Sequence, residues 1–330
     1  MTGHLTIDNM TQTIVFLDTA TLSNGDIDFA PLLQLGKVIL YDRTSQGEIV
    51  ERCAEADIII TNKVVIDDST MATLPNLKYI CVAATGYNVV DVKSAAARGI
   101  PVSNVSGYST PSVVQHTFAM ILAALCRVAT YSEQVHLGRW QAADDFTFYD
   151  HSITELAGKT MGILGLGTIG RQVARVAQAF GMAVLGVQRP SSIKDPMPGV
   201  RYVTLEELFV EADIVSLHAP LTDGNLHLVN CDLLSLMKPS AILVNTARGP
   251  LVHEGDLATA LLEGHLAVAC IDVLSQEPPT DGSPLIGLPN CLITPHQAWA
   301  SYESRTRLLK GLVDNIGAFQ SQLPLLNIVE

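Results

Sequence analysis

Three ionisable residues in the last third of the chain each follow a short apolar run. Arg248 closes Val244-Asn-Thr-Ala-Arg-Gly-Pro250, Glu277 lies in Asp272-Val-Leu-Ser-Gln-Glu-Pro278, and His296 lies in Thr294-Pro-His-Gln-Ala-Trp299. An arginine offers a planar fork of donors to a carboxylate or carbonyl oxygen. An imidazole can deliver a proton to an oxygen that gains charge as a hydride reaches the neighbouring carbon. A glutamate beside that imidazole favours its protonated form and fixes its orientation. If the apolar runs are strands of one open parallel sheet, all three residues emerge at carboxyl ends, where such sheets bind ligands. A cation, a carboxylate and an imidazole converging there suit a 2-oxo acid.

The chemistry needs a hydride carrier, and the middle of the chain supplies a signature for one. Met161-Gly-Ile-Leu-Gly-Leu-Gly-Thr-Ile-Gly-Arg171 contains Gly165, Gly167 and Gly170 in the G-x-G-x-x-G spacing, after an apolar strand (Met161–Leu164) and before a helical repeat. The first glycine allows the tight turn, the second lets backbone approach a pyrophosphate, and the third lets helix pack on strand. The helix that follows would aim its first N–H groups at the phosphates. On its own the spacing is a weak signal; the strand before it and the residues after it make it specific.

The elements that must position these residues read as two α/β series. Ile14–Leu17, Val38–Tyr41, Asp57–Thr61, Tyr79–Ala84 and Val102–Asn104 are short apolar runs bounded by turn residues, as buried parallel strands are. Thr110–Arg127 carries Val114, Phe118, Ile121, Leu122 and Leu125 at helical spacing and is long enough to bridge two domains. After the glycine turn, a helix over 171–180 stops at Gly181, and Ala183–Val187, Ile214–Leu217, Ala241–Asn245, Val268–Asp272 and Cys291–Thr294 continue the strands. Thr204 and Glu207 form a capping box for a short helix. Ala-Asp-Ile opens a strand at 56–58 and again at 212–214, a sign that the two halves fold alike. Ser301–Phe319 looks helical and has no sheet of its own, so it is placed back on the first domain. The expected architecture is therefore two Rossmann-like or flavodoxin-like α/β domains with parallel sheets. The cofactor domain (107–296) is inserted into a discontinuous substrate domain (1–106 and 297–330). Tyr131–Ala157 reads as irregular and rich in aromatic residues; a subunit interface, giving a homodimer, would cover them, and an interdomain loop is the alternative.

Composition limits the partners. With 330 residues, 48% hydrophobic and 16% charged, the chain suits two globular domains, and its net charge of −13 argues against a nucleic-acid surface. No apolar run reaches the roughly 18 residues that span a bilayer, and Phe118–Cys126 reads as a buried helix rather than a membrane segment. The six cysteines show neither C-x-x-C spacing nor clustering with histidines, so no metal site is expected and free thiols in a reducing cytosol are. Met1–Met10 lacks the pattern of a signal peptide, which also fits a cytoplasmic protein. His116, His136, His151, His227, His253 and His265 have no motif context and read as surface or packing residues.

Taken together, the Asn-Thr-Ala-Arg-Gly, Glu-Pro-Pro and Pro-His-x-Ala-Trp-Ala segments resemble the D-isomer-specific 2-hydroxyacid dehydrogenases. The likeness covers nearly the whole chain, including Ala84-Thr-Gly-Tyr-Asn88, Gly107-Tyr-Ser-Thr-Pro111 and His218-Ala-Pro-Leu-Thr222. The run from Gly107 to His116, with Trp299, looks most like the glycerate dehydrogenase, or hydroxypyruvate reductase, branch. The resemblance implies His296 as the acid/base, Glu277 as its partner and Arg248 as the substrate anchor. It implies that Thr85, Gly86 and Tyr87 offer backbone N–H groups to the substrate carboxylate. Trp299 either caps the substrate pocket or packs a domain junction. For the cofactor it implies Gly165, Leu166, Gly167, Thr168, Ile169 and Gly170 around the pyrophosphate, then His218, Ala219 and Pro220 along the cleft. Thr246, Ala247, Arg248, Asp272, His296 and Ala298 would stand near the nicotinamide, which Asp272 orients.

The cofactor's identity turns on the end of the next strand. A domain of this kind using NAD carries an acid about 20 residues after the glycines to bond the ribose hydroxyls. Here the strand ends in Gln188-Arg189-Pro190-Ser191-Ser192. Arg189 could pair with a 2′-phosphate, and Ser191 or Ser192 could hydrogen-bond it, so the segment points to NADP(H) and leaves NAD(H) open. The expected reaction is reduction of a small 2-oxo acid, hydroxypyruvate or glyoxylate, to a D-2-hydroxy acid. Formate enzymes of this family carry Gln where Glu277 stands, which counts against formate. Phosphite oxidation, or a dinucleotide-sensing corepressor that keeps the fold, are the alternatives.

Overall fold

The computed structural model describes residues 12–187 and 196–329. The chain divides into two compact units, one formed by residues 1–109 with 299–330 and the other by 110–298. The breaks fall at Ser109/Thr110 and Ala298/Trp299 rather than after 106 and 296. Val105 and Tyr108 are buried in the core of the first unit, so the chain leaves it only where the long helix begins.

The first unit opens β1 (Thr13–Phe16), α1 (Ala30–Leu33), β2 (Lys37–Leu40), α2 (Ile49–Cys53), β3 (Ile58–Thr61), α3 (Asp68–Ala72), β4 (Tyr79–Val82), α4 (Val92–Ala97) and β5 (Val102–Ser103). Its strands are parallel in the order β2-β1-β3-β4-β5. Every residue of β1, β3 and β4 is buried, because helices cover both faces of the sheet. Val15 and Leu17 face Ile49 and Met71 on one side, while Ile14 and Phe16 face the other.

The second unit holds α5 (Thr110–Cys126), α6 (Val128–His136), β6 (Thr160–Leu164), α7 (Thr168–Ala179), β7 (Ala183–Val187), β8 (Val200–Tyr202), α8 (Leu205–Glu211), β9 (Ile214–Leu217), α9 (Cys231–Ser235), β10 (Ile242–Asn245), α10 (Glu254–Glu263), β11 (Val268–Ile271) and β12 (Cys291–Ile293). Its parallel sheet runs β12-β11-β10-β9-β6-β7-β8, with the strand order reversing between β6 and β9. The chain then returns to the first unit as α11 (Tyr302–Gln320). There Leu308, Leu312 and Ile316, fully buried, pack in the cluster that holds Ile14, Phe16 and Ile58. Burial of each such side chain contributes roughly 1.5–3 kcal/mol, enough in sum to fix the helix on that face.

Two local expectations need correction. The stretch from Tyr131 is not irregular throughout: α6 continues to His136, and a turn at Arg127, in the left-handed region at φ 48°, separates it from α5. Helix α7 starts at Thr168, not at 171, with Gly170 inside its first turn. The capping box at Thr204 is present: its hydroxyl accepts from Glu207 N at 3.2 Å, and its own N–H donates to the Glu207 carboxylate at 2.8 Å. No single helix among the described residues is long and apolar enough to cross a membrane.

The Ala-Asp-Ile repeat has a structural counterpart. Asp57 accepts from Thr13 N at 2.9 Å and pairs with Lys78 at 2.7 Å; Asp213 accepts from Thr160 N at 2.8 Å and pairs with Lys238 at 2.8 Å. Each aspartate thus pins the strand it opens to the start of the neighbouring strand. At the opposite end of the first sheet, the buried Asp18 carboxylate, just after β1, accepts from Asn62 N at 3.0 Å and Lys63 N at 2.6 Å, just after β3.

Candidate active site

The site in the second unit lies where β10, β11 and β12 end side by side. These neighbours are parallel and in register, with Asn245 opposite Ile271 and Ile271 opposite Ile293. The loops carrying Arg248, Glu277 and His296 therefore leave the sheet at adjacent places.

His296 and Glu277 meet directly: Nδ1 lies 2.6 Å from Oε2, with both side chains about one-third exposed (31% and 33%). The other carboxylate oxygen of Glu277 accepts from Leu274 N at 3.0 Å, so the acid is tied to its own loop. That loop is braced in turn by Glu254 at the start of α10, whose carboxylate accepts from Ser275 N at 2.6 Å and Ser283 Oγ at 2.5 Å. Because the carboxylate holds Nδ1–H, the exchangeable proton of the ring is the one on Nε2.

His296 sits in an unusual backbone conformation, with φ at 51°. For a non-glycine residue this region costs free energy and persists only when the surroundings enforce it. Asp272 provides the enforcement. Its buried carboxylate accepts from Gln297 N at 3.0 Å and Ala298 N at 2.9 Å, and its backbone carbonyl accepts from His296 N at 2.8 Å. Thr294 Oγ1 donates to the same carboxylate at 2.5 Å. Burial pushes this carboxyl up, but hydrogen bonds from His116, Thr294, Ala298 and Gln297 outweigh it and hold its pKa below the usual range. Asp272 thus shapes the turn that carries His296, in addition to the cofactor role implied by resemblance.

Arg248 reaches the same edge by a different route. Asn245, almost fully buried, accepts from Ala247 N at 3.0 Å and donates its side-chain amide to the Arg248 carbonyl at 2.8 Å, which folds the Thr246–Arg248 loop back on β10. Arg248 is exposed, and among the described residues its guanidinium bonds locally, to the Ala247 carbonyl at 2.6 Å. Gly249 then passes against the Glu277 loop so closely that a Cβ there would lie 2.0 Å from the Leu274 carbonyl carbon.

The glycine turn faces the place where the second sheet reverses strand order, the position at which open α/β sheets bind ligands. Gly165, at φ 96°, abuts the chain after β9, and a Cβ on it would meet Ala219 N and the His218 carbonyl carbon at 2.8 Å each. A Cβ on Gly170 would lie 2.0 Å from the Gly165 carbonyl oxygen. Gly167 differs: its φ of −77° is open to any residue, and a Cβ would meet nothing within 4 Å. Among the described residues no side chain caps the helix that begins there. Neither the backbone nor its packing explains glycine at 167; space for a group approaching the uncapped N–H groups does, so the residues present fit a dinucleotide's pyrophosphate. Leu166 is buried beneath the turn, while Thr168 and Ile169 form the first turn of α7. His218 lies beside this crevice, its Nε2 2.9 Å from Ser216 Oγ, and burial holds its pKa down at about 4. Pro220, two residues on, is exposed. Gln188, Arg189 and Ser191 lie outside the described residues.

In the first unit, Thr85, Gly86 and Tyr87 form the loop after β4, where Asn104 donates its amide to the Thr85 carbonyl at 2.6 Å. Trp299 is half-buried and packs edge-on to Tyr108, with ring centroids 6.3 Å apart. One residue missed by sequence reasoning is His116. It is neither a surface nor a simple packing residue: from α5 its Nε2 reaches Thr294 Oγ1 at 3.0 Å and Asp272 at 3.4 Å. His253 also departs from that reading, since its ring accepts from Asp256 N at 3.2 Å and caps α10.

Comparison with known proteins agrees with this architecture. Residues 118–298 match the NAD-binding domain of the D-isomer specific 2-hydroxyacid dehydrogenases. The chain is 41% identical over 319 residues to a hydroxypyruvate reductase of Blautia hydrogenotrophica, covering 96% of this chain and 99% of that one. It is 40% identical over 324 residues to a glycerate dehydrogenase of Methylorubrum extorquens, covering 97% and 100%. Among solved structures, an acyclic imino acid reductase in complex with NADPH and D-Arg superposes with a TM-score of 0.84 at 29% identity, over 97% of this chain and all of that one. The chain belongs to the D-isomer specific 2-hydroxyacid dehydrogenase family and is an NAD(P)-dependent oxidoreductase acting on a small 2-hydroxy or 2-oxo acid.

Proposed function

We propose that the chain reduces hydroxypyruvate to D-glycerate, or glyoxylate to glycolate, with NADPH as the preferred reductant. The observation that carries the reading is the His296–Glu277 pair at 2.6 Å on the same sheet edge as Arg248. The names of the two relatives support the substrate class, and the Gln188-Arg189 sequence, without an acid, supports the 2′-phosphate. When bound, the reduced nicotinamide supplies the hydride that adds to C2. Arg248 takes the substrate's carboxylate or carbonyl oxygen in its donor fork, and His296 Nε2–H delivers the proton to the oxygen at C2 as charge builds there. Glu277 keeps Nδ1–H throughout, so the imidazole returns to the orientation from which it can be reprotonated. Thr85, Gly86 and Tyr87 are assigned to the substrate carboxylate, and Trp299 to the substrate's surroundings, on sequence likeness alone.

A steady-state panel tests this. Hydroxypyruvate, glyoxylate, pyruvate and 2-oxobutyrate are each offered with NADPH and with NADH, and phosphite is offered with the oxidised cofactors. The expected outcome is the highest kcat/KM with hydroxypyruvate or glyoxylate and NADPH, and an Arg189→Ala variant that loses NADPH efficiency while keeping NADH efficiency. Absence of turnover with both acids, or turnover of phosphite alone, overturns the reading.

A homodimer belongs to the same proposal. Helix α6 buries none of its residues, and beyond it Leu137, Trp140, Phe146 and Tyr149 stand exposed, Phe146 at 89%. A second copy covering this arm would remove that apolar surface from water. Light scattering is expected to give twice the 35.4 kDa chain mass, and a monomer would refute it.

A further inference from the structure

We propose that His116 is a positioning residue for the reaction, holding the Pro295–Ala298 turn, and with it the His296 imidazole, through Thr294 and Asp272. The inference rests on His296 as the proton donor, the reading given above.

The hydrogen-bond directions follow from the inventory of protons. Thr294 has one hydroxyl proton, and at 2.5 Å it is committed to Asp272 Oδ1. The same hydroxyl oxygen must therefore accept from His116, so His116 carries its proton on Nε2 and donates. That N–H faces Thr294 Oγ1 at 3.0 Å and Asp272 Oδ1 at 3.4 Å, as one donor shared between two acceptors. Asp272 is thus approached by four donors: Thr294 Oγ1, His116 Nε2 and Gln297 N at Oδ1, and Ala298 N at Oδ2.

These groups come from three separate elements. His116 is on α5, Asp272 directly follows β11, and Thr294 directly follows β12. The link therefore crosses from the helix layer to two neighbouring strand ends and stops at the left-handed residue His296. The side chain of Asp272 is fully shielded from water and that of His116 nearly so, at 17% exposure, and polar groups so placed are costly to leave unpaired. A helix residue that only filled space would need no donor here. Loss of the His116 donor leaves the carboxylate short of a partner and frees the turn it holds.

The test uses three variants of the full chain. His116→Leu removes the donor, His116→Gln can supply an amide N–H in its place, and Thr294→Val removes the hydroxyl between ring and carboxylate. Two readouts are taken: kcat and KM for the reductase reaction, and deuterium exchange at the Gln297 and Ala298 amides without cofactor or substrate. A displacement of catalytic groups by about 1 Å costs up to roughly 100-fold in rate. His116→Leu is accordingly expected to lower kcat by about tenfold with little change in KM, and to speed exchange at both amides. His116→Gln is expected to recover most of both, and Thr294→Val to speed exchange as His116→Leu does. Unchanged kcat and exchange in His116→Leu, or equal loss in His116→Gln, overturns the proposal. If His116→Leu fails to fold, exchange in Thr294→Val decides it: wild-type protection overturns the link. A wild-type protein that turns over no 2-oxo acid would instead sink the reading of the reaction, and the exchange comparison would still settle whether His116 holds the turn.

Discussion

Replacing His296 by Gln is expected to lower kcat by about 10²–10⁴-fold, the usual contribution of a positioned general acid, while leaving cofactor affinity near that of the wild type. The amide can keep a hydrogen bond to Glu277, now 2.6 Å from Nδ1, and can still donate towards substrate. It cannot give up a proton. The variant therefore separates the proton from the hydrogen bond, and stopped-flow measurement with saturating reductant reads the difference. Turnover within a few-fold of wild type would remove His296 from the acid role. The fall should appear in kcat and kcat/KM together, because the lost interaction is made in the transition state.

Substituting Gly249 by Ala is expected to be the most damaging single-methyl change at the site. The added Cβ would sit 2.0 Å from the Leu274 carbonyl carbon, 2.1 Å from its oxygen and 2.5 Å from Ser275 N, all backbone atoms that cannot swing aside. Relief requires the Arg248 loop and the Glu277 loop to part. Overpacking of this kind costs about 1–3 kcal/mol in stability. The separation of two catalytic loops adds a rate loss of up to roughly 100-fold. Thermal unfolding and kcat/KM measured on the same preparation check it; wild-type values for both would mean that the two loops are not held against each other.

Much of the fold was legible because buried parallel strands are nearly continuous apolar runs. Ile214–Leu217 and Ala183–Val187 were read with the bounds they have in the structure, and most other strands lie within a residue or two of the expected positions. The parts that were not legible lacked such a signal. β8 (Val200–Tyr202) is short and only half-buried, so no apolar run marks it. α6 buries nothing, so it carries no apolar stripe to separate it from a loop. The start of α7 was obscured by Gly170, a poor helix former placed in the first turn because any side chain would strike the Gly165 carbonyl.

The same logic applies to the site. Arg248, Glu277 and His296 were legible because each follows a strand and sits in a short distinctive segment. His116 was not, because its partner Thr294 is 178 residues away in sequence and the segment around His116 reads as an ordinary helix. Glu254 was missed for a related reason: at the first position of α10 it looks like a helix-dipole residue, and only the fold brings it to Ser275 and Ser283. Residues that act on substrate announce themselves through local motifs, whereas those that hold them in place are defined by long-range contacts.

Asp18 gives the first unit a different fate from the second. Two doubly wound sheets would offer two crevices of the same kind, one at each reversal of strand order. In the first, the Asn62 and Lys63 N–H groups that an incoming phosphate would seek are already occupied by the chain's own carboxylate. In the second, the turn after β6, the counterpart of the Asp18 turn after β1, carries Gly167 at the start of α7, and a Cβ there would meet nothing within 4 Å among the described residues. The first crevice is bonded to the chain's own carboxylate, whereas glycine leaves room at the second. A phosphate entering the first crevice would have to displace that carboxylate, far from the reacting atoms.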